Sequence, residues 1–201
     1  MSGGLVWVLV VLGLGVVVVR RPSIAVGLVT AEALLLAGGA IHAATASKVI
    51  AAAALLVRAI VLAVLLLLVV SRTREPRPVR AGVAPLARAG LAVAFALALT
   101  WLVPVIGLES RNAERGVLAL IAFGVVTVAT RRATLLQVLG VVLVENGLAL
   151  AAVELPGGSS VAIELGVALD LMLVALVAVL FHERIFAEFG TGDSSRLGSL
   201  R

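Results

Sequence analysis

The sequence predicts an all-α membrane protein, a polytopic bundle of about seven transmembrane helices. Of its 201 residues, 62% are hydrophobic and 13% are charged, whereas a soluble domain carries about 25% charged residues. The apolar residues also form runs long enough to cross a bilayer, which takes about 20 residues. Two of these runs carry a carboxylate near their centre, Glu145 and Asp170. The composition therefore excludes a soluble enzyme domain.

Seven apolar runs, separated by short polar or basic connections, give the predicted helices in order. Their approximate bounds are 4–19, 22–41, 48–70, 86–107, 114–130, 134–154 and 161–182. The first and fifth are short for a span, and Pro104 predicts a kink in the fourth. The first run lacks a basic n-region and an A-x-A cleavage site, so we expect it to remain as a helix.

The basic residues predict the orientation of the bundle. Twelve arginines fall in the connections expected on one side and in the C-terminal tail, against three basic residues on the opposite side. The positive-inside rule then places the N-terminus outside and the C-terminus in the cytoplasm. It also explains the basic composition without a nucleic-acid partner. The linker 71–85, with its run RTREPRPVR, is interpreted as a topology anchor; the alternative is docking to a partner or to anionic lipid.

The two central carboxylates predict a polar pathway. Glu145 and Asp170 lie about 15 Å into their spans, near the midplane of a bilayer core about 30 Å thick. A charge at that depth is unfavourable by about 2.5–3.5 kcal/mol. The functional interpretation is a proton relay or charge coupling. The alternative is hydrogen-bonded packing of neutral carboxyl groups. Asn146 is interpreted first as a residue that forms hydrogen bonds between helices, and second as a member of the relay.

A three-helix unit occurs twice in the sequence. A shift of 113 residues aligns Gly27 with Gly140 and Glu32 with Glu145, and a shift of 112 aligns Arg58 with Asp170. The pattern predicts parallel tandem units, since one extra helix separates them. These units are 1–70 and 114–189, joined by the linker 71–85 and a connecting helix 86–107, and followed by a disordered tail at 190–201.

The first unit adds two ionisable residues at mid-depth. Glu32 and Arg58 each lie about halfway along their predicted spans. They either form a structural ion pair with each other or continue the polar row of Glu145 and Asp170. Glu164 lies near the outer end of the last span, where it either starts the pathway or is a solvated or capping residue.

The remaining chemistry is sparse. His42 and His182 lie at opposite helix ends and are interpreted as interfacial residues, with proton uptake or release near neutral pH as the functional alternative. Two separated histidines do not make a metal site, and the sequence has no cysteine to bind zinc or an iron–sulfur cluster. No catalytic nucleophile or nucleotide-binding motif is recognisable. We expect no catalytic, redox or metal site in this chain.

The last 70 residues resemble the hydrogenase-4 component E family. Three motifs carry the resemblance: R-R-x-x-L-L-Q from Arg131, V-E-N-G over Val144–Gly147, and E-L-G-V-A-L-D over Glu164–Asp170. Ala51–Arg74 matches more loosely, and Arg58 stands near a lysine of family members. The family's C-terminal part is similar to the K subunit of complex I and to the C subunit of Mrp-type cation/proton antiporters.

The similarity to the K subunit assigns roles by position. Arg131, Arg132, Gly140 and Asn146 match its R-R start and the glycine and asparagine of the helix that follows. The carboxylate of its last helix falls on Asp170, and the histidine and basic residue that end that helix fall on His182 and Arg184. Its other carboxylate falls on Val142; Glu145 lies about one turn further along the same face and takes its place.

The resemblance implies a subunit of a complex-I-like or group 4 [NiFe] hydrogenase assembly in a bacterial or archaeal cell membrane. Its partners would be antiporter-like membrane subunits and a peripheral redox arm that holds the [NiFe] and iron–sulfur centres. This chain would contribute to proton or cation translocation. Two alternatives stay open: a subunit of a Mrp-type antiporter, and a purely architectural subunit that bridges larger membrane subunits.

Overall fold

Six α-helices make up most of the described chain. The computed structural model describes residues 2–41, 46–72 and 83–155, and individual positions at 179, 182, 184, 186 and 187. The helices are α1 (Gly3–Val18), α2 (Pro22–Ile41), α3 (Ala46–Arg72), α4 (Pro85–Leu102), α5 (Arg111–Thr130) and α6 (Thr134–Val153). Five of them are long and apolar enough to cross a membrane, and α1 is apolar but has 16 residues. The predicted helical membrane bundle is confirmed.

Prolines and one serine cap mark where helices begin. Pro22 and Pro85 are the first residues of α2 and α4, a position where the missing N–H has no intrahelical partner to lose. Arg21 precedes Pro22 and is disfavoured in helical geometry, which separates α1 from α2. At α5, the Ser110 hydroxyl accepts a hydrogen bond from the Ala113 N–H at 3.1 Å and satisfies one of the free N–H groups of the first turn.

One predicted helix bound and one predicted kink are wrong. The fourth helix ends at Leu102 rather than near 107, and Pro104 lies beyond it instead of kinking it. Proline cannot donate to the helix ladder, and it drives the preceding residue to an extended conformation, which Val103 adopts. The fifth helix begins at Arg111 rather than 114 and has 20 residues, so it is not short.

Two glycines bring the backbones of α5 and α6 close together. A Cβ atom added to Gly124 would lie 2.5 Å from the Gly140 carbonyl oxygen, and one added to Gly140 would lie 2.9 Å from the Gly124 oxygen. Only a residue without a side chain permits two backbones to approach this closely. The glycine crossing therefore fixes how α6, with its polar residues, sits against the rest of the bundle.

The other helices surround this pair. α1 packs against α2, α4 and α5, and α2 packs against both α3 and α6. The apolar core is filled by leucine and valine from several helices, with Leu9, Leu36, Leu120 and Leu139 fully buried. α4 turns much of its surface outward, and Trp101 at its end is 90% exposed, as expected for apolar side chains that face lipid.

Part of the predicted architecture lies outside the described residues. The predicted helix 161–182 is described at Val179 and His182, which are helical, as are Arg184, Phe186 and Ala187 further on. The central part of the linker, 73–82, and the tail 190–201 are not described. The tandem repeat therefore stays a prediction.

Candidate functional site

A buried polar cluster lies in the middle of the bundle, and two adjacent residues of α6 belong to it. Glu145 and Asn146 are the twelfth and thirteenth of the 20 residues of α6. Both are almost completely buried, with 5% and 0% of their surface exposed. The glycine crossing with α5 holds this part of α6 in the bundle interior. Neighbouring turns of α6 are apolar, so the two polar side chains need partners from other helices.

Arg58 of α3 supplies those partners. Its Nη1 donates to Glu145 Oε1 in a buried ion pair, and its Nη2 donates to Asn146 Oδ1 at 2.9 Å. One planar guanidinium thus holds two consecutive side chains of α6, a geometry that a lysine cannot reproduce. Arg58 is itself buried, at 2% exposure. Removing one member of a buried pair typically destabilises a protein by about 3–5 kcal/mol, because the other charge stays buried alone.

Glu32 of α2 completes the cluster without joining the ion pair. Its side chain is fully buried, and neither carboxyl oxygen has a hydrogen-bond donor among the residues that the structure describes. The Asn146 side chain lies near the Glu32 carboxyl group. The distance and angles between them are nevertheless not those of a hydrogen bond. Of the two interpretations of Glu32 and Arg58, the ion pair between them is therefore wrong, because Arg58 binds Glu145 instead; the continuation of the polar row stays a prediction.

The cluster keeps unused hydrogen-bonding capacity. Within the described ranges, Arg58 Nε, Glu145 Oε2, Asn146 Nδ2 and both Glu32 oxygens are buried and have no partner. Buried polar groups are satisfied in most proteins, so such a concentration marks a place where a proton, a water molecule or a further side chain is accommodated. Arginine stays protonated in proteins, whereas the two carboxyl groups can gain or lose a proton.

Of the other predicted pathway residues, the structure describes only His182. Asp170, Glu164 and His42 lie outside the described residues. The side chain of His182 is described and is 4% exposed, with its ring centroid 6.5 Å from that of Phe186, one turn further on. It is thus buried and lies beside the Phe186 ring, and its interpretation as an interfacial residue stays a prediction.

Two buried arginines have contacts that the sequence interpretation did not predict: Arg88 was counted among the topology charges, and Arg131 both among these charges and as the start of the R-R motif. We call Arg88 and Arg131 the α1 clamp, because both bind the C-terminal carbonyl groups of α1. Arg88 Nη1 donates to the Val17 oxygen at 2.9 Å and Nη2 to the Val83 oxygen at 2.8 Å. Arg131 Nη2 donates to the Val17 oxygen at 2.8 Å and also to that of Val19. Cations stabilise this end of a helix, where carbonyl groups lack intrahelical partners.

Several positive charges lie close together at the α1 clamp. Burial, together with the positive charges of Arg88 and Arg20, lowers the pKa of Arg131 to about 10. Arg131 also anchors the start of α6, since its carbonyl oxygen accepts a hydrogen bond from Gln137 Nε2 at 2.8 Å. Sequence alone gives little signal for this role, because the acceptors are backbone groups of a distant helix.

The opposite end of the bundle is closed by a loop rather than by arginines. The Glu109 N–H donates to the Glu154 carbonyl oxygen at 3.0 Å, joining the loop before α5 to the end of α6. The Gly107 N–H donates to Glu114 Oε1 at 2.9 Å, and Gly107 has a φ of 83° that favours glycine. The two ends of the bundle therefore differ in both charge and construction.

Comparisons with models of protein families, with curated proteins and with solved structures found no match to this chain. In the part of the chain that the structure describes, no three His, Cys, Asp or Glu side chains lie together as a metal site would need. The central cluster and the sequence motifs are therefore the features of this chain that indicate a function.

Proposed function

We propose that this chain is an integral membrane subunit of a complex-I-like or group 4 hydrogenase-type assembly, in which the central cluster takes part in proton or cation translocation. The observation that carries the proposal is the contact of Arg58 with Glu145 and Asn146, with Glu32 beside them, in the interior of apolar helices. Ionisable residues inside membrane spans are rare and typically mark ion pathways or proton relays.

The arrangement supports transfer parallel to the membrane plane. The three helices α2, α3 and α6 each contribute to the cluster near the middle of their length. When a proton neutralises Glu145, the Arg58 guanidinium loses its ionic partner and its charge favours ionisation of a nearby carboxyl group. Glu32 is a described carboxyl group near the Asn146 side chain. A charge change at one carboxylate is thereby passed to the next without leaving the bundle interior.

The sequence motifs extend this pathway beyond the described cluster. Asp170 matches the position of a K-subunit carboxylate in the next predicted span, so it is the proposed neighbour of Glu145 in the relay. The chain has no cysteine for iron–sulfur ligation, and redox chemistry is accordingly assigned to partner subunits. Purification from its source in mild detergent, with identification of the chains that co-purify, tests this assignment against a Mrp-type antiporter complex.

A purely architectural role is the second candidate, and one observation favours it. Arg58 already binds one carboxyl oxygen of Glu145 and the amide oxygen of Asn146, and so joins α3 to α6 as a purely structural contact would. The two functions differ in what happens when charge is removed while size and hydrogen bonding are kept. A structural role tolerates a glutamine in place of Glu32, because the Glu32 oxygens have no hydrogen-bond donor among the described residues, whereas a relay needs a group that titrates. Glu145→Gln differs, because it also leaves the buried Arg58 charge without its partner.

The discriminating experiment uses the intact complex in sealed vesicles. We expect Glu32→Gln and Asp170→Asn each to reduce ion pumping relative to turnover while subunit content stays normal. Glu145→Gln should also reduce pumping, and its subunit content is measured separately because it leaves the buried Arg58 charge without its partner. Glu109→Gln is the matched control, because Glu109 is an exposed glutamate outside the spans. Wild-type pumping in the Glu145→Gln/Asp170→Asn variant, with normal assembly, would favour the architectural role and overturn the relay.

A further inference from the structure

The α1 clamp concentrates positive charge at one end of the bundle. Arg88 and Arg131 both donate to the same Val17 oxygen, at 2.9 and 2.8 Å, so their donating nitrogens lie less than about 6 Å apart, where like charges repel strongly even near a protein surface. Neither has an acidic partner within 4 Å among the described residues. The α1 C-terminus offsets this charge by a fraction of an elementary charge at most.

Exposed arginines extend the charge to the surface. Arg20 and Arg21 follow directly after α1 and are both exposed. The described segments at this end of the bundle, 18–22, 70–72, 83–88 and 130–134, contain no aspartate or glutamate. A face with several cations and no described counter-charge is complementary to an anion.

We propose that this face binds the phosphate headgroup of an anionic phospholipid, with Arg20 and Arg21 in contact with the headgroup and the α1 clamp behind them. The position favours a lipid over a soluble phosphate, because the face lies at the ends of apolar helices, where headgroups lie. Exposed apolar residues flank it: Ile24 at the start of α2 is 48% exposed and Leu86 at the start of α4 is 84% exposed. These side chains provide contacts for the acyl chains, while the arginines provide the charge.

The experiment titrates the full chain in neutral detergent with phosphatidylglycerol and, in parallel, with phosphatidylcholine of the same acyl chains, and counts bound lipids by native mass spectrometry. We expect a clear preference for phosphatidylglycerol that weakens as salt is raised. Each arginine near an anionic headgroup contributes about 1 kcal/mol, so Arg20→Gln/Arg21→Gln should weaken phosphatidylglycerol binding about ten- to thirty-fold.

Matched variants distinguish lipid binding at this site from non-specific attraction to any positive charge on the protein. Arg111→Gln/Arg115→Gln removes two exposed arginines at the opposite end of the bundle and should leave phosphatidylglycerol binding unchanged. Arg20→Lys/Arg21→Lys keeps the charge and should retain most of the binding, and the single Arg21→Gln variant gives an intermediate loss if the double variant folds poorly. Equal losses in both glutamine pairs, no preference between the lipids, or displacement of the lipid by millimolar inorganic phosphate would each overturn the proposal.

Discussion

At the scale of single residues, Arg58 places a positive charge in the bundle interior. A buried guanidinium is tolerated because Glu145 compensates its charge and Asn146 accepts a second hydrogen bond. Such a pair seldom adds net stability over apolar residues of the same size, whereas breaking it is strongly unfavourable. The retention of three polar side chains here therefore points to a role that apolar packing does not serve.

Replacing Arg58 tests this balance. We expect Arg58→Met to destabilise the protein by about 3–5 kcal/mol, because Glu145 then stays buried without its partner. The double variant Arg58→Met/Glu145→Met should recover most of that loss, since no uncompensated charge remains. Titration with sodium dodecyl sulfate, followed by loss of helicity, measures both. A double variant less stable than Arg58→Met alone would contradict the account.

The partners in the cluster were only partly predictable. Sequence position gives depth, and Glu32, Arg58 and Glu145 were expected near one level of their helices. Which of them meet depends on how each helix is rotated about its axis and which neighbour it packs against, and an apolar sequence with little periodicity does not specify this. The Arg58–Glu145 contact therefore required the structure, as did the α1 clamp, whose acceptors are backbone carbonyl groups.

At the scale of elements, helix bounds and helix crossings have different origins. Most bounds follow from the sequence, because prolines, serine and paired arginines interrupt the apolar runs; the end of α4 was misplaced because Pro104 was assigned to a kink instead of a stop. Helix crossings depend on how closely two helix backbones can approach each other. Gly124 and Gly140 permit the close approach of α5 and α6, and this approach determines where Glu145 lies.

Adding a methyl group at the glycine crossing should separate α5 from α6. We expect Gly124→Ala to destabilise the bundle by about 1–3 kcal/mol, because its Cβ would lie 2.5 Å from a backbone oxygen that cannot rotate away. Gly27→Ala is the matched control: its Cβ would meet nothing within 4 Å, so the helix gains up to about 1 kcal/mol of propensity. The same detergent titration compares them, and equal effects would show that the crossing is not the cause.

At the scale of the whole molecule, the two ends of the bundle carry different charge. One end holds the α1 clamp and exposed Arg20 and Arg21, with no described acidic residue. The other end is closed by the loop before α5, which contains Glu109 and contacts the end of α6. Charge asymmetry of this kind orients membrane proteins during insertion, and the charge of the arginine end is complementary to anionic headgroups.

The asymmetry predicts that the arginine end faces the cytoplasm. Because the chain has no cysteine, single cysteines can be introduced without background labelling. Ser71 at the end of α3 and Asn112 at the start of α5 are both exposed and lie at opposite ends of the bundle. In intact cells, a membrane-impermeant maleimide should label the Asn112→Cys variant and not the Ser71→Cys variant. Both variants should react after the membrane is permeabilised. The reverse pattern would show that the bundle is inserted with its N-terminus inside, and it would place the arginine face against the outer leaflet instead.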